Sequence, residues 1–143
     1  MQVTFRPKIK GTRTGTLSFT DNAPGSPQTV PLTGAGTVVQ VGPGSLDFGN
    51  QPVGTRSAPQ TITLTNLGQQ PLTITAINLT GTNPADFNRT TTCSFVTPLA
   101  PGASCTISVS FRPTATGSRT ASVTIKDNGG GSPQQVPVSG TGI

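Results

Sequence analysis

The fold is decided by a nine-residue stretch in the last third of the chain, where residues 105–113 read CTISVSFRP. Its apolar side chains alternate with Thr and Ser and stand at Cys105, Ile107, Val109 and Phe111. Strict alternation is typical of a strand with one buried face and one face in water. The stretch therefore predicts a half-buried β-strand that ends at a proline.

The end of this strand and everything after it recur at the N-terminus. Residues 3–36, VTFRPKIKGTRTGTLSFTDNAPGSPQTVPLTGAG, align without a gap on residues 109–142, VSFRPTATGSRTASVTIKDNGGGSPQQVPVSGTG, at an offset of 106, and 17 of 34 positions are identical. Two copies so alike are expected to build the same structure. We therefore predict that residues 1–36 are the C-terminal hairpin strands of a preceding repeat and residues 37–143 one complete repeat. The joint between repeats is only a few residues long, which favours a semi-rigid string.

The rest of the repeat also reads as short strands separated by turn residues. We expect them at about residues 38–41, 46–49, 59–66, 71–79, 119–126 and 135–139. Residues 59–66 and 71–79 are predicted to form a hairpin, and residues 119–126 to pair back on the strand before them. The apolar alternation slips at Ala76-Ile77, which predicts a β-bulge. About seven or eight antiparallel strands at this spacing predict an all-β fold, an antiparallel β-sandwich.

Composition excludes most catalytic chemistry. Of 143 residues only 9% are charged, and His, Trp and Tyr are absent. General acid–base work would rest on four isolated Asp, and no Ser/His or Cys/His pair can exist, so we expect no enzyme and no cofactor. The Arg residues are scattered and only Phe is available to stack on bases, which argues against nucleic acid as a partner. No apolar run approaches the ~20 residues of a membrane span, so no membrane insertion is expected.

The two cysteines, Cys93 and Cys105, flank a short loop. A disulfide between them would contribute roughly 2–3 kcal/mol by restricting the unfolded chain. The alternative is a pair of buried free thiols. We favour the disulfide because the composition suits an oxidising compartment and no second pair or His is present for redox or metal work. Two thiolates without His leave a tetrahedral zinc site half empty, so no metal site is predicted.

Two further patterns have a structural and a functional interpretation. Asp21-Asn22 and Asp127-Asn128 open equivalent turns, where short polar side chains bond nearby backbone N–H groups; calcium is the alternative, but one carboxylate per turn is too few. The arginines at positions 6, 13, 112 and 119 could form a stripe for acidic glycans. We prefer the interpretation that they occupy outward strand positions and protect sheet edges.

A family resemblance rests on several short motifs within the repeat. These are LDFG at residues 46–49, PLAPGASC at residues 98–105 and FRP at residues 111–113. The repeat resembles the bacterial relatives of the ASPM/SPD-2/Hydin (ASH) immunoglobulin-like domain, of the choice-of-anchor D type. The resemblance implies a sandwich similar to major sperm protein, and a place among tandem repeats of secreted or surface-attached bacterial proteins. It brings no catalytic residue.

Two classes of function remain. The leading hypothesis is a non-catalytic structural or interaction module, acting as a spacer, scaffold or adhesive unit, with other copies of the same repeat as partners. Because two strands alone are marginal in water, the first hairpin is expected to need a partner. The alternatives are that it frays, adds to an exposed sheet edge, or pairs with its counterpart in another chain by strand addition, which would give a dimer or filament. The side chains expected to carry this assembly are Val3, Phe5, Leu17, Phe19, Val30 and Leu32. The rival is a carbohydrate-binding module, which the lack of Trp and Tyr disfavours, as it does small-molecule ligands.

Overall fold

The computed structural model describes residues 2–4 and 11–143, and in that part of the chain it consists of strands and one 3-10 turn. The strands are β1 (Gly11–Phe19), β2 (Gln28–Gly36), β3 (Val39–Gly42), β4 (Leu46–Gln51), β5 (Gln60–Asn66), β6 (Ile74–Thr80), β7 (Phe87–Thr91), β8 (Ser104–Phe111), β9 (Gly117–Asp127) and β10 (Gln134–Gly142). The 3-10 turn spans Pro84–Asp86.

Strands β3 to β10 form the predicted β-sandwich. One sheet has the order β4-β10-β9-β6, here called the β10 sheet, and the other the order β3-β5-β8-β7, called the β8 sheet. Alternating side chains of both sheets meet in the core, and the most completely buried include Ile62, Leu64, Ile107, Val109, Val123, Ile125, Val136 and Val138. The strand pairs are antiparallel except β4 and β10, which run parallel.

Two predicted pairings are wrong. Strands β5 and β6 form no hairpin, because β5 pairs with β3 and β8 while β6 pairs with β9 in the opposite sheet. Likewise β9 pairs with β6 and β10 rather than with β8. Alternation along a strand shows which of its faces is buried, but it does not show which sheet the strand joins. Both sheets of a sandwich bury one face in the same core. The predicted bulge in β6 is confirmed, as a register shift between Ile74 and Ala76.

A buried asparagine holds the connection that carries the chain from one sheet to the other. Asn66 ends β5, and its Nδ2 donates to the carbonyl oxygens of Gln70 and Leu99, at 2.8 and 2.9 Å. Its Oδ1 accepts the N–H of Gly68 at 2.9 Å. The side-chain amide thus has partners for both donors and for its acceptor, as a fully buried polar group requires. Asn66 thus fixes the connection between β5 and β6, which the sequence predicts as a hairpin loop.

Three phenylalanines fill one end of the core. The ring centroids of Phe87 and Phe111 are 4.9 Å apart, and Phe48 lies 5.9 Å from Phe111. Strand β10 crosses this cluster at Gly140, where a Cβ atom would lie 2.5 Å from Cε1 of Phe111. Only glycine lets the backbone approach the ring so closely.

The N-terminal hairpin, β1 and β2, repeats the geometry of β9 and β10. Gly11 faces Gly36 in the first pair, and Gly117 faces Gly142 in the second. Adding 106 to each residue number in the register of β1 and β2 gives the register of β9 and β10. The two sequence copies therefore form the same hairpin in the same register.

We expect Gly140→Ala to lower the free energy of unfolding by about 1–3 kcal/mol, because its methyl group would overpack the Phe111 ring. The control is Gly15→Ala on β1, where an added Cβ meets nothing within 4 Å. Chemical denaturation of the two variants makes the comparison. Equal effects would show that the close approach of β10 to Phe111 does not matter.

Candidate functional site

The apolar face of the N-terminal hairpin is exposed where the same face of β9 and β10 is buried. Val30 is 46% exposed and its counterpart Val136 is 1% exposed. Phe19 is 39% exposed and its counterpart Ile125 is 0% exposed. The register is identical, so the difference comes from the β8 sheet, which packs on β9 and β10 in the core.

The structure brings most of the predicted assembly residues together on this face. Leu17 lies directly opposite Val30 in the register of β1 and β2, and both Leu17 and Leu32 are half-buried. Val3 is exposed, and it lines a shallow cleft of about 380 Å³ together with Leu32. Phe5 lies outside the described residues. No strand other than β1 and β2 belongs to this sheet in residues 11–143.

The two cysteines are joined by a disulfide between the β7–β8 loop and the start of β8. The Cα atoms of Cys93 and Cys105 are 5.0 Å apart, and both side chains are buried in the core cluster. In the same loop, Leu99 forms an isolated bridge with Leu72 just before β6. The loop is thus fastened at two points to different parts of the sandwich.

At the end of the sandwich opposite the disulfide lies an ion pair that the sequence does not indicate. Asp86, 2% exposed, accepts hydrogen bonds at Oδ1 from the N–H and the hydroxyl of Thr114, at 3.2 and 2.6 Å. At Oδ2 it accepts a hydrogen bond from Nε of Arg119. Burial acts to raise the pKa of this carboxyl, but the hydrogen bonds from Thr114 and Arg119 and the charge of Arg119 outweigh it and hold the pKa below its usual value.

Arg119 therefore departs from its prediction as an outward, edge-protecting residue. Its side chain is mostly buried against Asp86. Asp86 and Arg119 are 33 positions apart, and no pattern along the chain links them. Arg112 is exposed as expected, and its Nε donates to the carbonyl oxygen of Gly54 at 2.7 Å.

A cleft of about 420 Å³ lies beside the ion pair. Val53, Arg56 and Arg112 contribute to its lining, together with the buried ring of Phe87. Asp86 also borders it, but its carboxylate is held by Thr114 and Arg119. The lining therefore presents the cationic side chains of Arg56 and Arg112 beside apolar surface.

The turn aspartates bond to nearby backbone, as predicted. Oδ1 of Asp21 accepts the N–H of Ala23 at 2.9 Å, and Oδ1 of Asp127 accepts the N–H of Gly129 at 2.7 Å. Within residues 2–4 and 11–143, no three His, Cys, Asp or Glu side chains are grouped so as to hold a metal ion. In the same residues no helix is long and apolar enough to span a membrane.

The geometry of the sandwich agrees with a known domain family. A family model described as HYDIN/CFA65/VesB-like, Ig-like domain matches residues 38–141, which is the span of β3 to β10. The chain belongs to this family of Ig-like domains. Such Ig-like and PapD-like domains are generally non-enzymatic. The predicted ASH-like, Ig-like assignment is thereby confirmed, and the choice-of-anchor D type stays a prediction.

Solved structures share the fold at low sequence identity. The VesB protease of Vibrio cholerae matches at 23% identity and a TM-score of 0.56, over 73% of this chain and 32% of its own. The secreted serine protease VesC from the same organism matches at 18% and 0.50, over 67% and 21%. The ASH/PapD-like domain 7 of human CEP192 matches at 15% and 0.52, over 86% and 98%. No curated protein sequence matches significantly. The chain thus corresponds to about a third or less of each protease and to nearly all of the CEP192 domain.

The Asp86–Arg119 pair makes stability depend on acid pH. Because the folded-state pKa of Asp86 lies below the ordinary value of an aspartate carboxyl, the stabilisation is complete above that ordinary value and is lost as pH falls through the folded pKa. Asp86→Asn should reduce this dependence. Arg119→Ala leaves a buried charge unpaired and should cost about 3–5 kcal/mol at pH 7. Denaturant titrations between pH 2 and 7 test both; an unchanged pH slope in Asp86→Asn would refute the assignment.

We expect reduction of the disulfide to cost about 2–3 kcal/mol, because the cross-link closes a loop of about a dozen residues. The measurement compares denaturation with and without reductant. Cys93→Ala/Cys105→Ala serves as the control, since reductant should not change its stability. Two reactive thiols in unreduced, denatured protein would show that the bond is not formed in the purified chain.

Proposed function

We propose that the chain is a non-catalytic structural module from an array of Ig-like repeats outside the cell. Residues 37–143 form one complete repeat, and residues 1–36 supply the last two strands of a preceding one. The observation that carries the proposal is the contrast between Val30 and Val136, the same residue in the same hairpin register, exposed in one copy and buried in the other.

The occupant of the exposed face follows from the second copy. In the complete repeat, β9 and β10 are covered by the β8 sheet and flanked by β6 and β4. The body of the repeat, residues 37–106, contains β3 to β7 and the first residues of β8, and residues 1–5 correspond in sequence to the rest of β8. A body of the same kind, from a preceding repeat, offers the N-terminal hairpin the same apolar cover and the same two neighbouring strands.

Charge supports this occupant. Arg13 corresponds to Arg119, which pairs with the buried Asp86 of its own body. A preceding repeat of the same kind places a counterpart of Asp86 opposite Arg13. The interface would then combine an apolar centre with one buried ion pair, as the complete repeat does.

A location outside the cell agrees with two observations. The disulfide between Cys93 and Cys105 belongs to oxidising compartments. One structure with the same fold is named as a secreted serine protease. In this location the module acts as a spacer that holds or displays other domains. Carbohydrate binding draws no support, since the chain has neither Trp nor Tyr to form a sugar platform.

The decisive experiment supplies the missing body in the chain itself. Residues 37–106 are joined ahead of Met1, which restores the sequence period because position 107 corresponds to position 1. Amide hydrogen exchange then reports on β1 and β2 in the original and the extended chain. We expect β1 and β2 to exchange quickly in the original chain, and in the extended chain to become as protected as β9 and β10.

Val30→Ala and Val136→Ala form a matched pair for the same test. In the original chain Val136→Ala should cost about 2 kcal/mol, and Val30→Ala should be nearly neutral. In the extended chain Val30→Ala should become as costly as Val136→Ala. Unprotected β1 and β2 in the extended chain would refute the proposal. The original chain could instead be a dimer by light scattering, with β1 and β2 protected from hydrogen exchange. That result would show that a second copy of the chain covers the apolar face.

A further inference from the structure

The large apolar side chains that are exposed in residues 37–143 lie at the two ends of the complete repeat. The exit end, where β10 leaves the sandwich, comprises residues 51–57, 81–86, 112–117 and 143. The entry end, where β3 begins, comprises residues 37–38, 66–73, 92–103 and 127–133. The exposed large apolar residues are Val53 and Ile143 at the exit end and Leu67, Phe95 and Val96 at the entry end.

The sides of the sandwich are polar by contrast. The outward positions of β5 and β8 are occupied by Thr and Ser, as at Thr61, Thr63 and Ser108. Isolated exposed apolar side chains are normal on a protein surface, whereas grouped ones mark a site of contact. Here Val53 and Ile143 are joined by a backbone hydrogen bond, and Phe95 and Val96 are consecutive. The contacts of this repeat are therefore expected end to end rather than side by side.

The backbone at the two ends shows how close consecutive repeats must come. At the exit end, the N–H of Ile143 donates to Gln51 O and its carbonyl accepts from the N–H of Val53, both at 3.0 Å. At the entry end, the N–H of Val38 donates to Gly129 O at 3.1 Å, and its carbonyl accepts from the N–H of Leu67 at 2.8 Å. Each terminal residue thus has both backbone groups held by the body it belongs to.

The sequence period joins these two observations. Ile143 stands 106 positions after Thr37, so a following repeat begins its held segment at the very next residue, the counterpart of Val38. The last residue fixed by one repeat and the first fixed by the next are then neighbours. No free residue remains as a linker, and a flexible joint requires several such residues.

We propose that the exit end of each repeat packs directly on the entry end of the following one. Val53 and Ile143 contact the counterpart of Leu67 in the next repeat, and the array is a stiff rod. The partner is a further copy of the same repeat. The inference rests on the proposed function, because it needs repeats in series.

The test uses the full chain followed directly by a second copy of residues 38–143. Spin labels are introduced through a ketone-bearing amino acid at Thr63 in each repeat, an exposed site in the middle of β5, so the disulfide cysteines are untouched. Pulsed dipolar spectroscopy then gives the distribution of distances between the repeats. We expect a narrow distribution, and a broad one when Gly-Ser-Gly-Ser is inserted after Ile143.

Two substitutions in the second repeat separate the apolar contact from the short joint. The counterpart of Leu67→Asp should broaden the distribution, and the counterpart of Gln135→Asp, exposed on β10, should not. Neither should change the stability of the single repeat, because Leu67 is 62% exposed there. A parent distribution as broad as that of the inserted chain overturns the stiff joint. A narrow distribution that Leu67→Asp leaves unchanged overturns the apolar interface.

The two experiments distinguish a failure of this inference from a failure of the proposed function. If the added body protects β1 and β2 but the two-repeat chain is flexible, the array stands and its stiffness fails. If the added body leaves β1 and β2 unprotected, the array itself fails whatever the joint does.

Discussion

A two-stranded hairpin cannot bury its own apolar face, and the whole sandwich is arranged around that constraint. The inward side chains of β9 and β10, such as Val123 and Val136, reach full burial only because the β8 sheet lies across them. That sheet is built from strands that precede β9 in the chain, from β3 (Val39–Gly42) to β8 (Ser104–Phe111). The hairpin of β9 and β10 therefore needs the β8 sheet to bury its apolar face. The N-terminal hairpin has the same register and no such sheet on it among the described residues.

The two ends of the sandwich are held by different chemistry. At the entry end, Asn66 and the disulfide at Cys93 tie the β5–β6 and β7–β8 connections together. At the exit end, Asp86 joins the 3-10 turn to β9 through Arg119. Asn66 and Asp86 have their buried polar groups satisfied within the repeat, and the disulfide is a covalent cross-link. As a result the backbone is fixed where the chain enters and leaves, which is where a neighbouring repeat would make contact.

The sequence predicts what local patterns encode and misses what depends on a distant partner. Alternation from Cys105 to Phe111 correctly identifies the buried face of β8, and the duplication predicts the hairpin register of β1 and β2. The pairing of β5 with β8 and the parallel contact of β4 with β10 depend on which sheet a strand joins. No pattern within one strand specifies that choice. The Asp86–Arg119 pair is not predicted for the same reason, because the 3-10 turn and β9 meet only after folding.

The distribution of polarity supports the proposed role of this architecture as a spacer. Thr and Ser cover the outer faces, and only 9% of the chain is charged, so the sides offer little for a partner to recognise. The large apolar side chains that are exposed within residues 37–143, such as Val53 and Leu67, lie at the ends of the repeat. A surface of this kind disfavours lateral association and favours contact along the axis of the chain. Repeats in series would then add length without adding lateral adhesion. Each further copy would contribute polar sides, and its ends would contact the neighbouring copies.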